Sequence, residues 1–156
     1  MNNKNLLGFT LIELLIVVSI VAIISAIAVP NLLSSRKAAH EAQVVANLRT
    51  IASANNVFFA NSGNTSYAFN LVALTTAGLI DRSWARTTPV KAGYTYGYYT
   101  GNTNQGFCLK AAYGSNLDAG NNSYAISHLG TIYQIPSGGA PTCDAVTGLI
   151  TGGSPL

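Results

Sequence analysis

The chain has 156 residues, 13 of them charged (eight Lys or Arg, five Asp or Glu), for a formal net charge of +3. Charged residues make up 8% of it, against about 25% in an ordinary soluble domain, while the apolar share of 49% is near the upper edge of the usual range. The length holds one domain with a sizeable core. The composition excludes a disordered chain, which needs low hydrophobicity and many charges, and its thinly spread Lys and Arg argue against a strongly basic nucleic-acid module.

The apolar residues are unevenly placed. Seventeen of the 21 residues from Phe9 to Val29 are apolar, the exceptions being Thr10, Glu13, Ser19 and Ser25. As a helix this run is about 31 Å long, close to one hydrocarbon core. The 127 residues that follow are 44% apolar, an ordinary globular composition. The pattern predicts one membrane-length helix followed by a domain able to live in water.

Three readings compete for the first 29 residues: a secretory signal peptide cut after Ala26-Ile27-Ala28, a plain single-span anchor, and a helix that is membrane-bound only for a time. A signal peptide has a shorter apolar core, usually 7–15 residues. Both bland readings also leave Glu13 deep in an apolar run, where an acid costs a few kcal/mol and requires a partner. Lys4 is nine residues away, out of helical reach. The expected partner of Glu13 therefore comes from another chain or from a newly made amine.

The phrase Gly8-Phe9-Thr10-Leu11-Ile12-Glu13 at the head of a long apolar run resembles the leader and first helix of type IV pilins and pseudopilins. The short polar leader Met1 to Gly8 and the closing phrase Ala28-Val29-Pro30-Asn31-Leu32-Leu33 are similar to theirs as well. The likeness is specific over residues 8 to about 37 and architectural beyond them. It implies that a prepilin peptidase cuts between Gly8 and Phe9 and N-methylates Phe9. It also implies that Glu13 meets the Phe9 amine of a neighbouring subunit, a pairing that tolerates two buried charges and admits one register only. Many members have glycine eight residues before the proline; here Ala22 stands there, and Pro30 alone weakens the helix at that point.

The helical pattern continues from Asn31 to about Ala60, with Val44, Val45, Leu48, Ile51, Ala52, Phe58 and Phe59 on one stripe. Asn55 interrupts the stripe and, if buried, requires a backbone or loop partner. Arg36, Lys37, His40, Glu41 and Arg49 are expected on a solvated face, with inter-subunit ion pairs as the alternative. Residues 61–66 read as a loop, and a short helix is expected to end at Gly78. Four runs then read as strands: Tyr94–Thr100, Phe107–Tyr113, Ser123–Ser127 and Thr131–Ile135. The expected fold is α+β, the type IV pilin fold: one long bent N-terminal helix packed on a small four-stranded antiparallel sheet, with a disulfide-tied C-terminal loop.

Cys108 and Cys143 are too few for a zinc site and are expected to pair in an exported domain. Closing about 35 residues contributes roughly 3–4 kcal/mol in the loop-entropy model. Many type IV pilins carry such a C-terminal disulfide loop, which favours them over calcium-stabilised pseudopilins. The bond also sets the C-terminal domain on the oxidising side and leaves the leader in the cytoplasm.

No catalytic constellation is visible, and neither an enzyme nor a cofactor or metal is expected. His40 and His128 read as surface residues. Asp118 with Asn116, Asn121 and Asn122 offers oxygen ligands, but plain turn chemistry explains them better. The cluster Tyr94, Tyr96, Tyr98 and Tyr99 is explained first by strand packing. Arg82, Arg86 and Lys91 form a sparse basic loop, the place for phosphate contacts were nucleic acid a partner, although a solvated or subunit-facing loop is the default.

The expected organisation is a leader over 1–8, a transmembrane and filament-core half-helix over 9–29, an amphipathic half over 30–60 and a globular head over 61–156. The head divides into a connecting loop (61–93), a sheet (94–135) and a C-terminal loop (136–156). The resemblance implies a structural pilus subunit for adhesion, twitching motility or DNA uptake. Its alternatives are a type II secretion pseudopilin and a DNA- or ligand-binding minor pilin. The implied partners are identical subunits, prepilin peptidase, the assembly platform, motor ATPases acting indirectly, and membrane lipid before assembly. The implied location is the inner membrane for the precursor and the cell surface for the pilus.

Overall fold

The computed structural model describes residues 8–101, 103–114, 120–136, 139 and 141–156. Helix α1 runs from Leu11 to Asn61 with Pro30 inside it. It stops where the sequence offers a left-handed residue: Gly63 has φ 74°, the Asn64 amide donates to Phe59 O and the Gly63 amide to Ala60 O. That pair of bonds satisfies carbonyls the last turn leaves open. Helix α2, Leu71–Thr76, is built on the same rules. Asn70 Oδ1 accepts from the Ala73 amide at its start. Gly78, at φ 71°, ends it, with Leu79 N donating to Leu74 O. A 3₁₀ turn, Arg82–Trp84, follows, capped by Asp81.

The sheet is wholly antiparallel. Its four central strands are β2 (Tyr94–Thr100), β3 (Phe107–Tyr113), β4 (Ser123–Ser127) and β5 (Ile132–Ile135). Two-residue strands extend each edge, β1 (Val90–Lys91) beside β2 and β8 (Ser154–Pro155) beside β5, giving the order β1-β2-β3-β4-β5-β8. The short pair β6 (Thr142–Cys143) and β7 (Ile150–Thr151) forms a separate ribbon. The edges escape a sequence reading because two residues carry no alternation. β1 and β2 are joined by Ala92 and Gly93, both with positive φ, so this two-residue turn matches the strand twist.

Alternation along the strands sorts the core into two faces. Tyr94, Tyr96, Phe107, Leu109, Ala111, Tyr124 and Ile126 share a cluster with Val44, Leu48, Ile51 and Ala52 of α1, together with Leu71, Leu74 and Trp84. On the other face Ala125, Ile135 and Ile150 form a second cluster with Tyr133 and Cys143 packed on it. All five residues of β4 are buried, which a sheet covered on both faces requires. The second compact unit of the chain, from Lys37 onward, contains this whole assembly.

Buried Asn55 finds the partners its position demands. Its Nδ2 donates to Ile51 O, and its Oδ1 lies 2.8 Å from the Tyr98 hydroxyl, which also reaches Ala68 O at 2.7 Å. Tyr94 and Tyr96 are buried and Tyr98 half-buried in the same layer, so sheet packing accounts for the tyrosine cluster, while Tyr99 points outward under the Lys110 ammonium.

Candidate assembly and processing site

The N-terminal part of α1 is bare. Sixteen large apolar side chains between Phe9 and Leu33 are exposed, and α1 contains a segment long and apolar enough to cross a membrane. Leaving them in water forgoes roughly 1.5–3 kcal/mol each, a sum beyond the 5–15 kcal/mol that holds a whole domain together. A bare apolar surface of this extent marks an interaction site. Pro30 has no amide hydrogen to give to Ala26 O. One residue on, Asn31 Nδ2 donates to Ile27 O, and the hydroxyls of Ser34 and Ser35 donate to Asn31 O.

At the head of the run, Thr10 and Glu13 form a reciprocal cap. The Thr10 amide and hydroxyl donate to Glu13 Oε2 at 2.9 and 2.7 Å, and the Glu13 amide donates to Thr10 Oγ1 at 3.3 Å. Ser/Thr followed three residues later by Glu is the capping-box pattern, and Thr10 is thus a local, uncharged partner for Glu13 besides any cation. Both side-chain bonds fall on Oε2; Oε1 has no partner among the described residues. Gly8 and Phe9, the residues flanking the expected cut, are both exposed. The leader residues before Gly8 lie outside the described residues.

In the head, Cys108 on β3 and Cys143 on β6 are joined, with Cα atoms 6.1 Å apart. The bond ties the β6–β7 ribbon to the face of the sheet turned away from α1. Between these two strands Asp144 Oδ1 accepts from the amides of Val146 and Thr147. The Val146 amide, then Thr147, holds the Asp144 carboxyl below the usual carboxylate range.

Glu41 differs most from expectation. It does not stand on a solvated face. It is half-buried and accepts from the β3–β4 connection, Asn121 N at 2.6 Å and Asn122 N at 3.3 Å on Oε1, and from the Tyr124 hydroxyl of β4 at 3.1 Å on Oε2. Asn122 Nδ2 reaches both oxygens, at 3.3 and 3.4 Å. Gly120 stands where a Cβ would strike Glu41 and the Tyr94 hydroxyl. Burial, then the Glu41 charge, pushes the Tyr94 hydroxyl far above the tyrosine range; the same causes push Tyr124 up to about 12. Nearby, Lys37 Nζ donates to Asn121 Oδ1 at 3.3 Å. The sequence signal was present but weak: a lone acid off the helix stripe, and an Asn-Asn pair before a strand. Asn121 and Asn122 thus bind Glu41, while Asn116 and Asp118 lie outside the described residues.

The remaining candidates separate. His40 is half-buried on α1. His128 lies in the β4–β5 connection, half-buried rather than fully on the surface, its Nδ1 enclosed and without a hydrogen-bond partner among the described residues. Lys91 belongs to β1 and lies over the Trp84 ring, so it is not a free loop residue.

Residues 3–29 match the family described as "Prokaryotic N-terminal methylation motif". The chain is 36% identical over 110 residues to the type IV wide pilus major component PilA4 of Thermus thermophilus, covering 70% of this chain and 76% of that protein. The chain belongs to the type IV pilin family. A second pilin relative, the type IV major pilin protein PilA of Myxococcus xanthus, is 39% identical over 59 residues, 38% of this chain and 27% of that longer protein. No solved structure matches this pilin. The long helix, the antiparallel sheet and the Cys108–Cys143 bond are those expected of a pilin.

Proposed function

We propose that this pilin is the structural subunit of a type IV pilus. It enters the inner membrane as a precursor, leader in the cytoplasm, with residues 9–29 as the span. Prepilin peptidase cuts between Gly8 and Phe9 and methylates the Phe9 amine. An assembly platform, powered by separate ATPases, then packs the helices of identical subunits into a filament core. The observation that carries this reading is the wholly exposed apolar run of α1 with one acid at its head.

Cleavage would remove Lys4 with the leader and create a cationic amine four residues before Glu13. Oε2 is held by Thr10, which leaves Oε1 to accept from the Phe9 amine of the next subunit. A paired buried charge is tolerable where an unpaired one is costly, so the pair sets the stagger between subunits. Mass spectrometry of the mature protein is expected to find N-methyl-Phe9 at the N-terminus. A mature chain beginning at Val29 would overturn the reading in favour of a signal peptide. Deletion of the gene is expected to remove surface filaments in electron micrographs.

A further inference from the structure

Ser83, Arg86, Thr88, Val90 and Lys91 line one cleft of about 460 Å³. Bare phosphate would leave most of it empty; small-molecule sites run from about 300 to 1,000 Å³. We propose that this cleft binds a phosphate ester, its phosphate held by Arg86 and Lys91 with the Thr88 hydroxyl, and its organic part against Val90.

Lys91 is presented by a strand, and Arg86 follows the 3₁₀ turn, its amide donating to Trp84 O at 2.7 Å. Trp84 is buried and meets Tyr96 edge-on at 4.9 Å, which pins the 3₁₀ turn to the core. Lys91 is fixed by its pairing with Tyr94 across the β1–β2 turn. Its Nζ lies 4.6 Å from the centre of the Trp84 ring and donates to Ser83 Oγ, leaving further ammonium hydrogens for a ligand. The Tyr96 amide donates to the carbonyl of buried Pro89 at 2.9 Å, fixing the chain between Thr88 and Val90. The neighbouring carboxylate, Asp81, caps the turn by accepting from Ser83 N at 2.8 Å. It offsets one cation, and Arg86 and Lys91 leave the cleft net positive. Arg86 supplies the planar fork that suits phosphate oxygens, and Lys91 a point charge.

Trp84 is the only tryptophan of the chain and touches Lys91, so it reports on occupancy. The full-length protein in a non-ionic detergent is titrated with inorganic phosphate, ribose 5-phosphate and a single-stranded oligodeoxynucleotide. Sodium chloride at matched ionic strength and sodium acetate serve as comparisons. A saturable change in tryptophan emission is expected with the phosphate ligands. A midpoint lower for ribose 5-phosphate than for phosphate identifies a small ester; one lower still for the oligonucleotide, beyond its number of phosphates, identifies a nucleic-acid backbone. Arg86→Gln, on an exposed loop, is expected to raise the midpoint roughly tenfold. Asp81→Asn keeps a capping oxygen and is expected to lower it. A response absent, matched by chloride or acetate, or unchanged in Arg86→Gln overturns the proposal, and leaves the filament role untouched.

Discussion

The first and second halves of α1 are one helix written in two alphabets. Between Leu11 and Val29 apolar residues occupy every side, and Ile12, for example, is 67% exposed. Between Val44 and Asn55 they occupy one stripe, and Leu48 is 0% exposed against the sheet. A helix apolar all round must be covered on all sides, by lipid or by its own kind; a helix with one apolar stripe is finished by one packed layer. The two halves also treat their acids differently. Glu13 is held by its own first turn with one oxygen open. Glu41 has both oxygens engaged by a distant connection. The open carboxylate suits intermolecular work and the closed one intramolecular work.

Four measurements break or sharpen that contrast. The largest effect is expected from Glu13→Val. Sheared filaments fall by two orders of magnitude or more, scored by immunoblot, while the unfolding midpoint of the head stays unchanged, because the second compact unit begins at Lys37. An equal loss of head stability would erase the distinction between the halves. Next comes the disulfide. Cys143→Ser, or reduction, is expected to destabilise the head by roughly 3–4 kcal/mol in urea unfolding, the loop-closure value for this separation. The loss should center on the β6–β7 ribbon in hydrogen exchange.

Glu41→Gln is expected to cost roughly 2 kcal/mol, since it removes a charged acceptor from several donors and leaves them weakly paired. Exchange at the amides of Asn121 and Asn122 should quicken most. The smallest effect is alkaline. Tyr124 titrates near 12 in the folded chain against an ordinary tyrosine value of 10.0, because of burial and then the Glu41 charge, and Tyr94 is raised by the same causes. Below pH 10 both states hold the proton and the contribution is full. As pH rises from 10 to about 12 the unfolded chain releases protons that the folded chain keeps, so stability falls. The urea midpoint should drop across that window, and Tyr124→Phe should make the drop shallower.

Elements with a strong local signature are legible in the sequence. The long helix, the short helix before Gly78 and the four central strands rest on periodicity, propensity and glycine ends, each written within a few neighbouring residues. The edge strands β1 and β8 and the β6–β7 ribbon were not readable, because two-residue strands exist only through the partner that pairs them. Asn55 announced itself as a polar residue in an apolar stripe, and its partners arrived on schedule from Ile51 and Tyr98. Glu41 did not, since its donors lie about 80 residues away.

The sequence by itself determined the division of the chain into an all-round apolar run and a weakly charged head. It also placed the acid at the start of that run and the two cysteines beyond it. These depend on composition and short-range order, which no packing can alter. Tertiary structure alone decided that the Glu41 carboxylate is closed by donors some 80 residues away, and that β4 is covered on both faces. Those outcomes are distances between residues remote in the chain, and only the folded register of helix and sheet sets them.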